Sequence, residues 1–135
     1  MKIVPVSIVI PYRFHPDLEI WMQVRESDDE LSGLFEFPGG KVDIGEIPID
    51  TAVREVLEEV GLGLQKEKLK LSTIYTNNLS DKIISLYVFL YHDKGEFLTS
   101  WFKESDRDMY IEKIPPANKV FWDQVIKSIK TDAYE

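Results

Sequence analysis

Residues 39–62 constrain the fold of this chain more than any other segment, because they combine a helix with two different faces and glycines at both ends. The middle of the segment, residues 49–60, is predicted to be an α-helix with Pro48 in its first turn and Gly61 at its end. At about 100° per residue, one arc of this helix is aliphatic and is predicted to pack on a β-sheet. That arc holds Val53, Val56, Leu57 and Val60.

The opposite arc of the same helix carries Glu55, Glu58 and Glu59 within five positions. Like charges spaced three and four residues apart cost an exposed helix about 0.2–0.5 kcal/mol per pair. Arg54 is predicted to lie off this arc. The helix alone leaves two interpretations open. One is a solvated acidic face, and the other is a site for a hard divalent cation such as Mg²⁺ or Mn²⁺.

The remaining apolar segments predict strands on both sides of this helix. Strands are expected at residues 4–11, 19–25, 69–77, 82–91 and 97–102, with a short strand that stops at Pro38 and a turn at Gly39 and Gly40. The segment 82–91 is long and apolar, so it is predicted to lie centrally. A second helix is expected at residues 117–130, with Val120, Phe121, Val125, Ile126 and Ile129 near its inner side. This order predicts an α/β fold, a mixed sheet covered by helices, in one domain over residues 1–135.

Composition excludes several kinds of function. The chain has 135 residues, a net charge of −8 and no cysteine. The absence of cysteine removes disulfides and thiolate metal sites, and it agrees with a cytoplasmic location. The acidic surface disfavours a nucleic-acid polymer as partner. No apolar run is long enough to cross a bilayer, so no membrane partner is expected.

The spacing around the helix favours the cation-site interpretation. Gly40 is followed after five residues by Glu46, and seven residues later come Arg54 and Glu55. The paired glutamates 58 and 59, Gly61 and an aliphatic residue complete the pattern G-x5-E-x7-R-E-U-x-E-E-x-G-U, where U is aliphatic. This pattern resembles the Nudix box in every position. The resemblance implies a Nudix hydrolase with the fold of an α/β/α sandwich around a central mixed sheet. It also implies that the substrate is a nucleoside diphosphate linked to another group, and that hydrolysis requires Mg²⁺ or Mn²⁺ as cofactor.

The resemblance also implies roles for individual residues of the box. Glu55, Glu58 and Glu59 would bind the metal or position the attacking water, and the carbonyl of Gly39 would be a further ligand. Glu55 is the expected general base. Arg54 would orient a glutamate, either Glu46 or Glu55, through a salt bridge. Gly40 and Gly61 would permit tight turns at the two ends. A further metal carboxylate is expected outside the box, at Glu96 or alternatively at Glu104.

Segments outside the box resemble the MutT branch, which hydrolyses nucleoside triphosphates and is associated with 8-oxo-dGTP. The sequence LFEFPGGKVDIGE resembles that branch and places Lys41 next to the double glycine, where it would face phosphate. Arg25 and Asn118 correspond to residues that contact the purine, and an amide suits this role because it both donates and accepts. Arg25 as a surface charge and Asn118 as a helix cap are the alternatives. Tyr87 or Phe89 could line the base pocket, although both are more simply explained as sheet-face aromatics.

The predicted function is therefore hydrolysis of a purine or oxidised purine nucleoside triphosphate to the monophosphate and pyrophosphate. Alternative substrates within the family are dinucleoside polyphosphates, ADP-ribose or another nucleotide sugar, and the 5′ end of RNA. A non-catalytic nucleotide-binding module is also possible, but such proteins commonly lose a box glutamate, whereas this chain keeps all four. The protein is expected to be a monomer or a homodimer.

Overall fold

The computed structural model describes residues 2–133, which form a mixed β-sheet with a long helix on each face. The strands are β1 (Lys2–Phe14), β2 (Leu18–Trp21), β3 (Gln23–Val24), β4 (Phe35–Glu36), β5 (Gly39–Lys41), β6 (Leu69–Asn78), β7 (Lys82–His92) and β8 (Trp101–Lys103). The α-helices are α1 (Pro48–Val60) and α2 (Pro116–Ala133). Short 3₁₀ helices span Lys66–Lys68, Glu104–Met109 and Ile111–Lys113. The expected α/β sandwich with a mixed central sheet is confirmed.

The main sheet has the strand order β6-β7-β1-β2-β8, and β5 pairs separately with β1. Strand β7 lies between β6 and β1, so the prediction that this segment is central is confirmed. The pairing of β1 with β7 is parallel, whereas the other strand pairs are antiparallel. The long connection between these two parallel strands includes α1, as a parallel crossover requires.

Alternation along the strands divides the apolar residues between two cores. On β7, Leu86 and Val88 pack in the core that includes α2, while Phe89 and Tyr91 pack in the core that includes α1. The helix α1 ends at Gly61, which adopts φ 80° and donates its N–H to the carbonyl of Leu57. Glycine suits this left-handed position because it has no Cβ. The predicted end of the helix is therefore confirmed.

The predicted turn at Gly39 and Gly40 is wrong. Both residues are extended in β5 and pair with β1, Gly39 opposite Ile8 and Gly40 opposite Ser7. A Cβ on Gly39 would lie 2.1 Å from the carbonyl oxygen of Ser7. The first glycine is therefore required by the close approach of two strands and not by a chain reversal.

The strand predicted at residues 97–102 is also wrong over most of its length, because the chain is extended only at Trp101–Lys103. The buried carboxylate of Asp93 accepts hydrogen bonds from the backbone N–H groups of Gly95, Glu96 and Phe97. These hydrogen bonds hold residues 93–97 in a turn. This hydrogen bonding competes with strand pairing. Ser100, just before β8, has φ 70°.

Two aliphatic residues predicted to face the core are exposed instead. Leu57 on α1 is 54% exposed, and Val120 on α2 is 59% exposed. Thr51, Ala52 and Val56 form the buried side of α1. Among residues 2–133, no helix is both long and apolar enough to span a membrane.

Candidate active site

The outer edge of β5 is the surface on which the carboxylate-bearing face of α1 rests. In an antiparallel pair, only every second residue exchanges backbone hydrogen bonds with the partner strand. The Val9 N–H donates to the carbonyl of Pro38 and the Val42 N–H donates to the carbonyl of Pro5, so Gly39, next to Pro38, is a residue that does not bond to β1. Gly39 therefore turns its backbone polar groups away from β1. Its N–H donates to Glu59 Oε2 at 3.0 Å. An extended residue points its N–H and C=O to the same edge, so the Gly39 carbonyl also faces these carboxylates.

Arg54 is the centre of the ion-pair network on α1. Its Nε and Nη2 donate to the two oxygens of Glu46 at 2.9 and 3.0 Å. Its Nη1 donates to Glu55 at 3.0 Å and approaches Glu58 at 3.3 Å, and its Nη2 also reaches the carbonyl of Lys41 at 3.2 Å. A salt bridge was expected with either Glu46 or Glu55, and Arg54 pairs with both. Although Arg54 was predicted to lie off the carboxylate arc, its long side chain reaches across the helix surface to Glu55 and Glu58.

Glu46 acts as an anchor for the loop that precedes α1. Besides Arg54, it accepts hydrogen bonds from the Thr51 hydroxyl and the Asp43 N–H. The hydrogen bonds from Arg54, followed by that from Thr51, lower the pKa of Glu46 to about 2. Ile47, at the N-cap position, offers no side-chain hydrogen bond to the helix. The Glu46 contacts therefore secure a helix start that lacks an ordinary cap.

Glu55 and Glu59 approach the double glycine from the helix. The side chain of Glu55 is 15% exposed and lies so close to Gly40 that a Cβ there would be 2.4 Å from Glu55 Oε1. Burial raises the pKa of Glu59, and the negative charge of Glu55 raises it further. Both effects oppose the ionised form of Glu59. A cation near these two carboxylates would relieve this penalty.

The donor set fits Mg²⁺ or Mn²⁺ in chemical type. Carboxylates and a peptide carbonyl are the oxygen ligands that these ions prefer. Within residues 2–133, no three acidic or histidine side chains converge in a geometry that could hold a metal ion. Glu55 and Glu58 are instead paired with Arg54 in this arrangement. Glu58 is 57% exposed, whereas Glu55 is 15% exposed, so Glu58 has more room than Glu55 to turn toward an ion.

The two candidates for an additional metal carboxylate lie in different places. Glu96 accepts hydrogen bonds from the Tyr91 hydroxyl and the Lys94 N–H, and it lines a cavity with Val60 at the end of α1. The Tyr91 hydrogen bond is the main reason that the pKa of Glu96 is lowered to about 2. Glu104 pairs with Lys130 of α2. Glu96 is thus near the end of the carboxylate helix, but neither of these hydrogen bonds joins it to the box carboxylates.

A cavity of about 280 Å³ adjoins the double glycine on the α2 side of the sheet. It brings together the predicted base-reading residues Arg25 and Asn118 with Gly39 and Gly40, which are distant from them in sequence. The other lining residues are mostly apolar. They come from β1, the loop at residues 26–34, the segment at residues 35–38, β6, β7 and the start of α2. They are Val6, Ile8, Leu31, Glu36, Phe37, Tyr75, Asn77, Ile84, Leu86, Pro115 and Ala117. An apolar cavity with a few polar groups suits a planar base.

Arg25 lies on the wall of this cavity with its guanidinium engaged by nearby acceptors. Its Nη2 pairs with Asp29 at 3.0 Å, its Nη1 with Glu36 at 3.4 Å and its Nε with Ser27 at 3.3 Å. The charge of Asp29 is the main cause of the raised pKa of Arg25. Arg25 therefore ties the following loop to β4 at the wall of the cavity, and its contact with a purine stays a prediction.

Asn118 and Lys41 differ in how closely the structure ties them to this cavity. Asn118 lines it from the first turn of α2, which begins at Pro116, so it does not occupy the N-cap position. Lys41 is exposed at the end of β5 and is not among the residues that line the cavity. Its predicted contact with phosphate remains a prediction.

Sequence reasoning missed several residues of the site. Tyr75 and Asn77 of β6 line the cavity, whereas Tyr87 and Phe89, which were considered for it, face the core that includes α1. Two-residue alternation in β6 places Tyr75 and Asn77 on one face, but it does not tell which face carries the cavity. Gln23 was missed as well, and its amide donates to Glu59 Oε2 at 3.3 Å.

Comparison with known proteins finds matches over most of this chain. Residues 2–120 match the NUDIX domain. The chain is 33% identical over 109 residues to the 8-oxo-dGTP diphosphatase of Escherichia coli strain K12. The matched region covers 75% of this chain and 81% of that protein.

Solved structures show the same architecture. A MutT structure from a study of Aliivibrio salmonicida and Vibrio cholerae has a TM-score of 0.71 at 25% identity, covering 94% of this chain and 99% of that one. The NUDIX domain of Shewanella oneidensis NrtR, solved with ADP ribose, has a TM-score of 0.72 at 14% identity, covering 96% of this chain and 90% of that one. The second likeness concerns the fold alone.

Proposed function

Because this chain belongs to the NUDIX family and is a Nudix hydrolase, we propose that it hydrolyses nucleoside triphosphates to the monophosphate and pyrophosphate with Mg²⁺ or Mn²⁺. The preferred substrate in this proposal carries a purine or an oxidised purine, as in 8-oxo-dGTP. The similarity to the E. coli 8-oxo-dGTP diphosphatase supports this substrate class.

The observation that carries the proposal is the position of the cavity relative to the carboxylates. Gly39 and Gly40 line the cavity on one side and contact Glu59 and Glu55 on the other. A base in the cavity would therefore leave its phosphates at the double glycine, within reach of the carboxylate face of α1. Asn118 at the cavity wall supplies both a donor and an acceptor, which an oxidised guanine requires at its altered ring edge.

Each group in the site has a proposed task. Glu55, Glu58 and Glu59 would hold the divalent cation together with the Gly39 carbonyl, and Glu96, near the end of α1, would be a further ligand. When bound, the cation offsets the negative charge of the pyrophosphate and lowers the pKa of the water that attacks phosphorus. Glu55 accepts the proton of that water.

Groups outside the metal site orient the remaining parts of the reaction. Arg54 fixes the orientation of Glu55 through its ion pair at 3.0 Å. Lys41 faces the departing phosphates from the end of β5, while Arg25 and Asn118 orient the base. Together, the residues that would hold the cation and those that line the cavity would set the position of the scissile phosphorus with respect to Glu55.

A substrate panel tests the proposal. It contains dGTP, 8-oxo-dGTP, the other nucleoside triphosphates, ADP-ribose, a dinucleoside polyphosphate and a 5′-triphosphate RNA, each with Mg²⁺, with Mn²⁺ and with a chelator. We expect metal-dependent release of pyrophosphate from purine triphosphates, with most activity lost in Glu58→Gln. Asn118→Ala should reduce activity on 8-oxo-dGTP more than activity on dGTP.

Three outcomes would contradict parts of the proposal. Absence of metal-dependent turnover on every nucleotide would favour a non-catalytic binding module. Faster turnover of ADP-ribose, the dinucleoside polyphosphate or the RNA than of any triphosphate would reject the substrate class. An equal loss of activity on dGTP and 8-oxo-dGTP in Asn118→Ala would remove Asn118 as the residue that distinguishes the oxidised base.

A further inference from the structure

Glu59 differs from the other two carboxylates of α1 in the kind of donor that holds it. Glu55 and Glu58 pair with the cationic Arg54. The two donors to Glu59 are neutral, namely the N–H of Gly39 at 3.0 Å and the amide Nε2 of Gln23 at 3.3 Å, and both bind the same oxygen, Oε2. Among the described residues no hydrogen bond reaches the other oxygen, Oε1, so Oε1 is the oxygen available to a ligand.

Neutral donors orient a carboxylate without cancelling its charge. A lysine or arginine at position 23 would form an ion pair with Glu59 and would compete directly with a metal cation. A glutamine amide fixes the side chain by a hydrogen bond and leaves the full negative charge available. Since a carboxylate has only acceptors, the nitrogen of the amide must face Glu59.

Gln23 is itself held in place by backbone pairing. It lies on β3 opposite Glu36 of β4, and the preceding residue, Met22, is 1% exposed and donates its N–H to the carbonyl of Ser100 at 3.2 Å. Two residues further along the chain is Arg25, on the wall of the base cavity. The same short segment thus contacts the carboxylate helix at one point and the cavity at another.

We infer that Gln23 is a positioning residue of this active site, whose side-chain amide holds Glu59 Oε2 so that Oε1 is presented to the divalent cation. The inference rests on the proposed function, because it assumes that Glu59 binds the metal. Hydrogen-bonded partners of metal ligands typically change metal affinity or activity by about 10–100-fold when they are removed. Gln23 belongs to this class although it lies outside the box.

The test compares Gln23→Met, which keeps the length of the side chain but removes the donor, with the matched control Gln65→Met in the exposed turn before Lys66–Lys68. Mn²⁺ binding to the nucleotide-free protein is measured by calorimetry, and kcat and KM are measured with dGTP. We expect Gln23→Met to weaken Mn²⁺ binding about tenfold and to lower kcat, with KM for dGTP unchanged. The control and the melting temperatures of both variants should match the unmodified protein.

A double-mutant cycle separates positioning from a general structural effect. In the Glu59→Gln background, Gln23→Met should cause no further loss of Mn²⁺ affinity, because the group through which it acts is gone. An equal loss in both backgrounds, or unchanged Mn²⁺ affinity in the single variant, would overturn the inference while leaving the proposed function intact. If the unmodified protein neither binds Mn²⁺ nor hydrolyses any nucleotide, the proposed function fails and the inference fails with it.

Discussion

Replacing Gly40 by alanine should separate catalysis from folding in this protein. A Cβ at this position would lie 2.4 Å from Glu55 Oε1. An ordinary contact needs about 3.5 Å, so the carboxylate would have to retreat by about 1 Å. That displacement would move Glu55 away from its 3.0 Å ion pair with Arg54 and from the position at which it would act.

The two consequences of Gly40→Ala differ greatly in size. A 1 Å misplacement at a reacting centre can cost about 100-fold in rate, equivalent to about 2.7 kcal/mol of activation free energy. The clash involves the end of a flexible side chain, so the free energy of unfolding should change by less than about 1.5 kcal/mol. We expect kcat to fall about 100-fold at a nearly unchanged urea midpoint.

Two other glycines provide the matched controls. In Gly39→Ala the new Cβ would meet backbone, 2.1 Å from the Ser7 oxygen and 2.8 Å from the Ile8 Cα, so both stability and activity should be lost. In Gly63→Ala the new Cβ would meet no heavy atom within 4 Å apart from its immediate chain neighbours, and both properties should be retained. A Gly40→Ala variant with full activity would refute the argument that the close approach of Glu55 explains this glycine.

Three further predictions follow from burial, charge and alternation. Val56→Ala should lower the free energy of unfolding by about 2 kcal/mol, because Val56 is fully buried, whereas Leu57→Ala should cost under about 1 kcal/mol in the same urea titration. Folding lowers the pKa of Glu46 to about 2, so the ionised Glu46 side chain stabilises the folded state. This stabilisation is complete when the pH is above the pKa of glutamate in the unfolded chain, about 4.3, and it is lost as the pH falls toward about 2. Melting temperatures should show a shallower decline over this pH range in Glu46→Gln, and an identical decline would contradict this role. Tyr75→Ala should raise KM for purine triphosphates about tenfold, while Tyr87→Ala, on the opposite face of the sheet, should leave KM unchanged.

Local sequence was enough to predict most features of the helix α1. Its bounds, its glycine end and its carboxylates were predictable, because they depend on a 3.6-residue period and on the backbone freedom of Gly61. The position of Arg54 was not predictable from angular position alone. A long side chain is drawn to the surrounding acceptors, and those include Glu46 and the Lys41 carbonyl, which tertiary structure supplies.

For the cavity beside Gly39 and Gly40, local sequence predicts much less. Arg25 and Asn118 were named from a resemblance, and the structure places both on one cavity. Tyr75, Asn77 and Gln23 carry no local signal of this kind, since alternation along a strand says which residues share a face and not what the face meets.

The sequence by itself therefore determined the chemistry, in the form of four glutamates, an arginine and glycines at spacings that fit one reaction class. The tertiary structure decided which backbone groups form hydrogen bonds with those side chains. The register of β5 against β1 turns the Gly39 N–H to Glu59 and the Lys41 carbonyl to Arg54. Hydrogen-bond directions along a strand depend on its pairing partner, which lies more than 30 residues away in the chain. No local pattern could specify that pairing, and it is the pairing that places the carboxylates next to the cavity lined by Gly39 and Gly40.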